Sequence, residues 1–371
     1  VCSSTDFDRL NLFIILFLYS RLSFINLVFI YTISLFGIIG LNYYLLFFMH
    51  IILNNIFPLV TMVVGLTGTL GINYMFEFRQ KEIIKNSFSK KVSKQVMNDL
   101  LSHLESTDLS ARELETTIYF SDIRNFTTIS ETLKSPKRIT AFLNFYMNAM
   151  VEAVEKNQGT IDKFIGDAVM AYWNAPLPVQ NHADKAVLTA LEQVEMRDKL
   201  NVTINKEFGF DVDYGIGINT GDVVVGEIGS KGRSDYTIIG DSVNLASRLE
   251  GLCKPYRVRL IISQFTKAQL TLEYVIQLLD IVRVKGKHEP VKIYEVLSLG
   301  TANATKKEEL NRYTTAHDLY VNGDFKEALK MFNELFATYE KYLYSLYASR
   351  CEHLLEQGIT AFDGVFEFTT K

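Results

Sequence analysis

At 371 residues, with 48% hydrophobic and 22% charged side chains, the chain has material for two or three folding units, which argues against a single compact domain. Its net charge of −4 supplies no basic field that would draw the whole molecule to nucleic acid, so nucleic acid is not expected as a partner. Cys2, Cys253 and Cys351 lie far apart without metal-ligand spacing, which excludes a disulfide framework or zinc site and places the soluble part in the cytosol.

The chain opens on Val1 and a polar stretch and reads as a fragment whose natural start lies upstream. Between Arg21 and Glu77 there is no Asp, Glu, Lys or Arg, only a run dense in Leu, Ile, Phe and Val. A spanning helix takes about 20 residues, so this run predicts two transmembrane helices with a turn near His50, Asn54, Asn55 and Pro58. Leu10 to Ser20 is a further apolar run, either a third span or an interfacial segment. Arg79, Lys81, Lys85, Lys90, Lys91 and Lys94 against Glu77 and Glu82 mark the cytoplasmic side. Residues 1–76 are thus expected to sit in the lipid bilayer of the cell (inner) membrane as a multi-pass region, with the C-terminal part inside.

Residues 77–111 read as a helical linker, with Ile83, Ile84, Phe88, Val92, Val96, Leu100 and Leu101 at helical spacing. Coiled-coil pairing and an amphipathic helix lying on the membrane or on its own domain are both open readings. From Thr116 the pattern turns α+β: a strand at Thr116 to Phe120, a long helix along Ile139, Phe142, Tyr146, Met150 and Val154 closed by Gly159, then a hairpin turning at Gly166 and Asp167. A helix over Ala183 to Lys206 follows, and then a second hairpin, Val212 to Asn219 and Asp222 to Ile228, turning at Thr220 and Gly221. Asp241 is expected to cap a helix from Ser242 to about Leu252. Strands fit Val258 to Ile262, Val275 to Val284 and Val291 to Val296. That order predicts an antiparallel sheet with helices on one face over 112–298. Residues 299–371 read as helix only, a helix–Gly323–Asp324–helix hairpin of tetratricopeptide-like texture.

Three stretches carry chemistry. Phe120 to Thr127 and Asp162 to Asp167 each put an Asp, Asp122 and Asp167, where a strand ends, and two such carboxylates on neighbouring strands are able to share hard cations. Alone they also fit ordinary turn formers. In Tyr236 to Leu249, Asn244 and Arg248 stand four apart on one helix face, an amide to orient a sugar and a guanidinium to meet developing phosphate charge.

Together the three stretches resemble the class III nucleotide cyclases, from about Glu113 to Ser298. The resemblance implies a ferredoxin-like catalytic domain and two Mg²⁺ or Mn²⁺ ions on Asp122, Asp167 and the Ile123 backbone. It further implies attack of the ribose 3′ oxygen of ATP on its α-phosphate. It assigns ribose positioning to Asn244, transition-state stabilisation to Arg248, triphosphate contacts to Lys285 and Arg233, and a phosphate cradle to the backbone from Ile123 to Phe126. Family architecture sets the metal pair of one protomer against the Asn and Arg of the other, so a single domain implies a homodimer. Lys163 and Thr237 match the family's base-reading pair. A Lys donor suits adenine N1 and a hydroxyl that accepts suits the 6-amino group. The resemblance therefore implies cyclic AMP formation. The alternatives are a guanylate or dual-specificity cyclase, a catalytically inactive nucleotide sensor, and a polymerase-like two-carboxylate enzyme, against which the Asn244 to Arg248 helix argues. The membrane run, Phe76 to Glu82 and Phe362 to Val365 also resemble bacterial cyclases with a CHASE-type extracytoplasmic sensor ahead of three spans.

Overall fold

The computed structural model describes residues 24–50, 111–230, 233–283, 289–359 and 362–367, with scattered positions between 60 and 79. Leu10 to Ser20, nearly all of the linker and the stretch carrying Lys285 lie outside the described residues. The chain divides into two units, Val1–Lys91 and Val92–Lys371.

In the first unit α1 runs over Phe24–Met49 without a charged residue and stops where His50 takes a left-handed φ of 55°, at the turn the sequence predicts. Among the described residues Thr32–Met49 is the one stretch long and apolar enough to cross a membrane, and none of it is buried within the protein. Phe29, Phe36, Tyr43 and Phe47 stand exposed, and burying each such side chain is worth about 1.5–3 kcal/mol. A second apolar helix, Val63–Phe76, is shorter than a full crossing. Among the described residues, one of the two expected spans is thus seen at full length.

The second unit is built on a sheet. In chain order its elements are β1 (Arg112–Ile123), α2 (Phe126–Leu133), α3 (Pro136–Lys156), β2 (Thr160–Ile165), β3 (Ala168–Trp173), α4 (His182–Phe208), β4 (Tyr214–Ser230) and β5 (Arg233–Ile239). There follow α5 (Asp241–Tyr256), β6 (Leu260–Ser263), α6 (Gln264–Gln269), β7 (Tyr274–Arg283), β8 (Val291–Leu299), α7 (Ala304–Val321), α8 (Phe325–Tyr339), α9 (Tyr342–Glu356) and β9 (Phe366–Glu367). Among the described residues nine strands form one sheet in the order β2-β3-β1-β4-β6-β8-β7-β9, with β5 paired to β4. The β4–β6 and β7–β9 pairs are parallel, so the sheet is mixed rather than antiparallel throughout.

Alternation along the central strands builds two cores. Tyr119, Ile123, Ala171 and Trp173 pack with Phe142, Tyr146, Val187 and Ile204 of α3 and α4. Ile118, Phe120, Met170 and Tyr172 pack with Val223, Val225, Ile238 and Ala246.

Thr220 and Gly221 do not turn. They lie inside the continuous strand β4, where Thr220 faces Thr117 and Gly221 faces Thr116 across the ladder. A Cβ on Gly221 would lie 2.5 Å from Ser242 Oγ, so this glycine makes room for α5 instead of bending the chain. Gly217 does the same deeper in, where a Cβ would fall 2.2 Å from the Glu250 nitrogen. Gly240, not Asp241, occupies the cap of α5; Asp241 is in the first turn, where its charge still favours the helix.

The tail departs from expectation in two ways. Among the described residues it has three helices and a strand, and it shares a core with the sheet: Tyr313, Tyr320, Phe332 and Tyr347 pack with Leu249, Tyr256, Leu279 and Ile293. Asp280 of β7 lies wholly buried at this junction. It accepts a hydrogen bond from the Tyr256 hydroxyl and pairs with Arg350 Nη1 at 2.6 Å. The same guanidinium lies 3.8 Å over the Phe366 ring of β9.

Candidate active site

The chain places Asp122 one residue from the end of β1 and Asp167 in the β2–β3 turn, with Gly166 at φ 67° shaping that turn. Because β3 lies beside β1, with Ser121 opposite Val169, the two carboxyls meet. Burial first, and then the adjoining Asp122 carboxyl, push the Asp167 carboxyl up to about 7, against the pull of backbone N–H groups of Asp167 itself and Ile123. Asp167 Oδ2 is buried and meets no hydrogen-bond donor among the described residues. Two crowded carboxyls with a donorless buried oxygen could hold a hard, oxygen-seeking cation, and Mg²⁺ or Mn²⁺ would suit that donor set. Glu250 of α5, which the sequence reading did not single out, is a third carboxyl near them. Burial raises it to about 8, with Asp122 and Asp167 adding to the rise and Arg124 opposing it. Its position at the foot of α5 depends on the glycines of β4, a packing fact that no local motif signals.

A test follows from the raised Asp167 carboxyl. An acid whose pKa is higher folded than unfolded holds a proton that the unfolded chain releases, so this carboxyl costs no stability below about pH 4 and an increasing amount as pH rises through about 7. With divalent cations chelated, Asp167→Asn is expected to melt above wild type at pH 8, with the gap closing towards pH 4. Discounted for its partial exposure to solvent, the gain is about 1 kcal/mol, or roughly 2–4 °C. Thermal melts across pH check it; a variant melting lower at pH 8 contradicts it.

Lys163 and Thr237 also meet, through a residue that was not foreseen. Thr237 Oγ1 donates to Asp162 Oδ2 at 2.9 Å, and Lys163 Nζ lies 3.4 Å from the same oxygen. The Asp162 side chain is fully buried while that of Lys163 is 40% exposed.

Asn244 is exposed and Arg248 half-buried, one turn apart on α5 and flanking its buried stripe of Leu245, Leu249 and Leu252. Among the described residues no hydrogen bond or ion pair joins either to Asp122 or Asp167. Ile123 is buried at the end of β1 and Phe126 opens α2, half-buried against the core. Arg233 begins β5, with its backbone opposite Ser230. Lys285 lies outside the described residues.

The adenylate and guanylate cyclase catalytic domain model matches residues 110–298, half of the chain. The chain belongs to that family. It is 40% identical over 223 residues to the terminal-differentiation-specific adenylate cyclase of Dictyostelium discoideum, covering 58% of this chain and 10% of that protein. It is 37% identical over 203 residues to an adenylate cyclase of Anabaena cylindrica, covering 53% of this chain and 39% of that one. The chain thus spans well under half the length of these curated relatives. Among solved structures, a bacterial light-regulated adenylyl cyclase superposes with a TM-score of 0.54 at 22% identity, covering 64% of this chain and 67% of that one, a likeness of fold. In this cyclase domain Asp122 and Asp167 lie at the strand ends and Asn244 and Arg248 on the helix where the sequence places them. The contacts made by Asp162 and Glu250 come from tertiary packing.

Proposed function

We propose that the chain is a membrane-bound adenylate cyclase, converting ATP to 3′,5′-cyclic AMP and pyrophosphate at sites shared by two copies of its catalytic domain. The observation that carries this reading is the crowded Asp122–Asp167 pair with its donorless oxygen in a domain of the cyclase family. Asp122, Asp167 and the Ile123 backbone would hold two Mg²⁺ or Mn²⁺ ions. When bound, such ions activate the 3′ oxygen and neutralise the triphosphate.

The remaining work falls to this chain's own groups. Lys163 donates to adenine N1 and Thr237 accepts from the 6-amino group. Asn244 orients the ribose, and Arg248 meets the charge that builds on the α-phosphate as the 3′ oxygen gives up its proton to solvent and bonds to phosphorus while the bond to the leaving pyrophosphate breaks. The backbone from Ile123 to Phe126, with Arg233 and Lys285, holds the phosphates. The exposure of Asn244 and the half-buried position of Arg248 one turn on, with neither bonded to the carboxyl pair among the described residues, support a second copy as the provider of these groups.

Residues 1–76 would anchor the chain in the cell membrane by more than one crossing, 77–111 transmit, 112–298 catalyse in the cytoplasm, and 299–371 brace the domain. The exposed apolar surface of α1 supports the anchor. The test is product formation by the detergent-solubilised chain. One cyclic AMP and one pyrophosphate are expected per ATP consumed with Mg²⁺ or Mn²⁺; consumption of ATP without a cyclic product would overturn the reading.

A further inference from the structure

A threonine hydroxyl both donates and accepts, so on its own Thr237 discriminates poorly between a 6-amino and a 6-oxo purine. The structure removes that ambiguity. Thr237 Oγ1 lies 2.9 Å from Asp162 Oδ2, an oxygen that as a carboxylate only accepts, so the single hydroxyl proton is directed to Asp162. The oxygen of Thr237 is left with lone pairs alone for a base. Thr237 itself is 7% exposed, and its partner is fully buried, so water competes weakly for that proton.

Two further observations point to a built arrangement. In the β2–β3 ladder Ile161 faces Ala171 and Lys163 faces Met170, so Asp162 is the extra residue of a bulge. Bulges re-aim side chains, and this one lets consecutive residues act together: Lys163 Nζ comes within 3.4 Å of the Asp162 oxygen that Thr237 uses. The other carboxylate oxygen, Oδ1, is buried without a hydrogen-bond partner among the described residues. A carboxylate whose second oxygen goes unsatisfied is a cost that a purely structural role does not explain.

We propose that Asp162 is a positioning residue for base selection: it takes the Thr237 hydroxyl proton, leaves that oxygen able only to accept, and so favours the 6-amino group of adenine over the 6-oxo group of guanine. This deepens the adenylate cyclase reading and rests on Lys163 and Thr237 facing the base. Guanine would set its O6 acceptor against the Thr237 lone pairs and its N1–H donor against the Lys163 ammonium. Freed from Asp162, Thr237 would rotate and donate to O6.

The experiment measures kcat/KM for ATP and for GTP as separate substrates of the solubilised full chain, in wild type, Asp162→Ala, Asp162→Asn, Thr237→Val and the Asp162→Ala/Thr237→Val double variant. Asp162→Ala is expected to lower the ATP-to-GTP ratio by about ten-fold or more, the scale of one oriented hydrogen bond. In the Thr237→Val background the same substitution is expected to move the ratio by less than about two-fold, because the hydroxyl it acts through is gone. Asp162→Asn keeps the volume and serves if the alanine variant fails to fold; a drop in its ratio supports the proposal. A ratio unchanged in both Asp162 variants, with kcat falling in parallel for both nucleotides, would overturn it and leave the cyclase reading standing. A wild-type chain that cyclises neither nucleotide would remove that reading and this inference together.

Discussion

Asp122→Ala chains and Arg248→Ala chains, each inert when expressed alone, are expected to recover about a quarter of wild-type turnover when co-expressed in equal amounts. Random pairing makes about half of the dimers mixed, and each mixed dimer keeps one intact site of two. Loss of a cation-holding carboxylate is expected to cost at least about 10³ in kcat, and loss of the guanidinium about 10²–10³, so the recovered activity stands far above background. The expectation follows from placement. Asp122 lies one residue from the end of β1, whereas Asn244 and Arg248 stand one turn apart on α5, and among the described residues no hydrogen bond or ion pair joins them to Asp122. If the mixture stays dead while both variants still dimerise, the two sets of residues do not serve a shared site.

Arg350→Ala is expected to destabilise the catalytic unit by about 3–5 kcal/mol, because it leaves the wholly buried Asp280 without its cation. At about 2–4 °C per kcal/mol, the melting temperature of this unit should fall by roughly 10 °C. The Tyr256 hydroxyl and the Ile281 N–H still donate to Asp280, but neither carries charge. The loss also strips the guanidinium from the Phe366 ring and loosens β9 at the edge of β7. Pairing the change with a neutral partner separates charge from packing: Asp280→Asn combined with Arg350→Met is expected to recover more than half of the loss, since a buried pair is often replaced by apolar groups at little cost. An unchanged melting temperature for Arg350→Ala would mean that the tail is not part of the catalytic unit's core.

What was legible in the sequence was local. Strand ends at Asp122 and Asp167, the tight β2–β3 turn and the four-residue spacing of Asn244 and Arg248 follow from turn chemistry and helix periodicity. What was not legible depended on neighbours distant in the chain. Thr220 and Gly221 carry turn chemistry, yet the glycine serves the approach of Ser242, so one long strand replaces a hairpin. Asp162 next to Lys163 reads by simple alternation as pointing to the other face, and only the bulge after Ile161 brings both to Thr237. The tail reads as one helical hairpin, and its stripes do not reveal what they pack on: Tyr313 and Tyr347 are buried against Leu279, and Arg350 pairs with Asp280 of the sheet.

The most direct test offers the solubilised full chain equal concentrations of ATP and GTP, with Mg²⁺ and then Mn²⁺, and identifies the cyclic product. Cyclic AMP in large excess under both metals is the expected result, drawing on the Asp122–Asp167 pair, the Asn244 and Arg248 face and the Lys163–Thr237 pair at once. Cyclic GMP as the main product would contradict the reading of the base by Lys163 and Thr237, and the absence of either cyclic nucleotide would contradict the proposed activity as a whole.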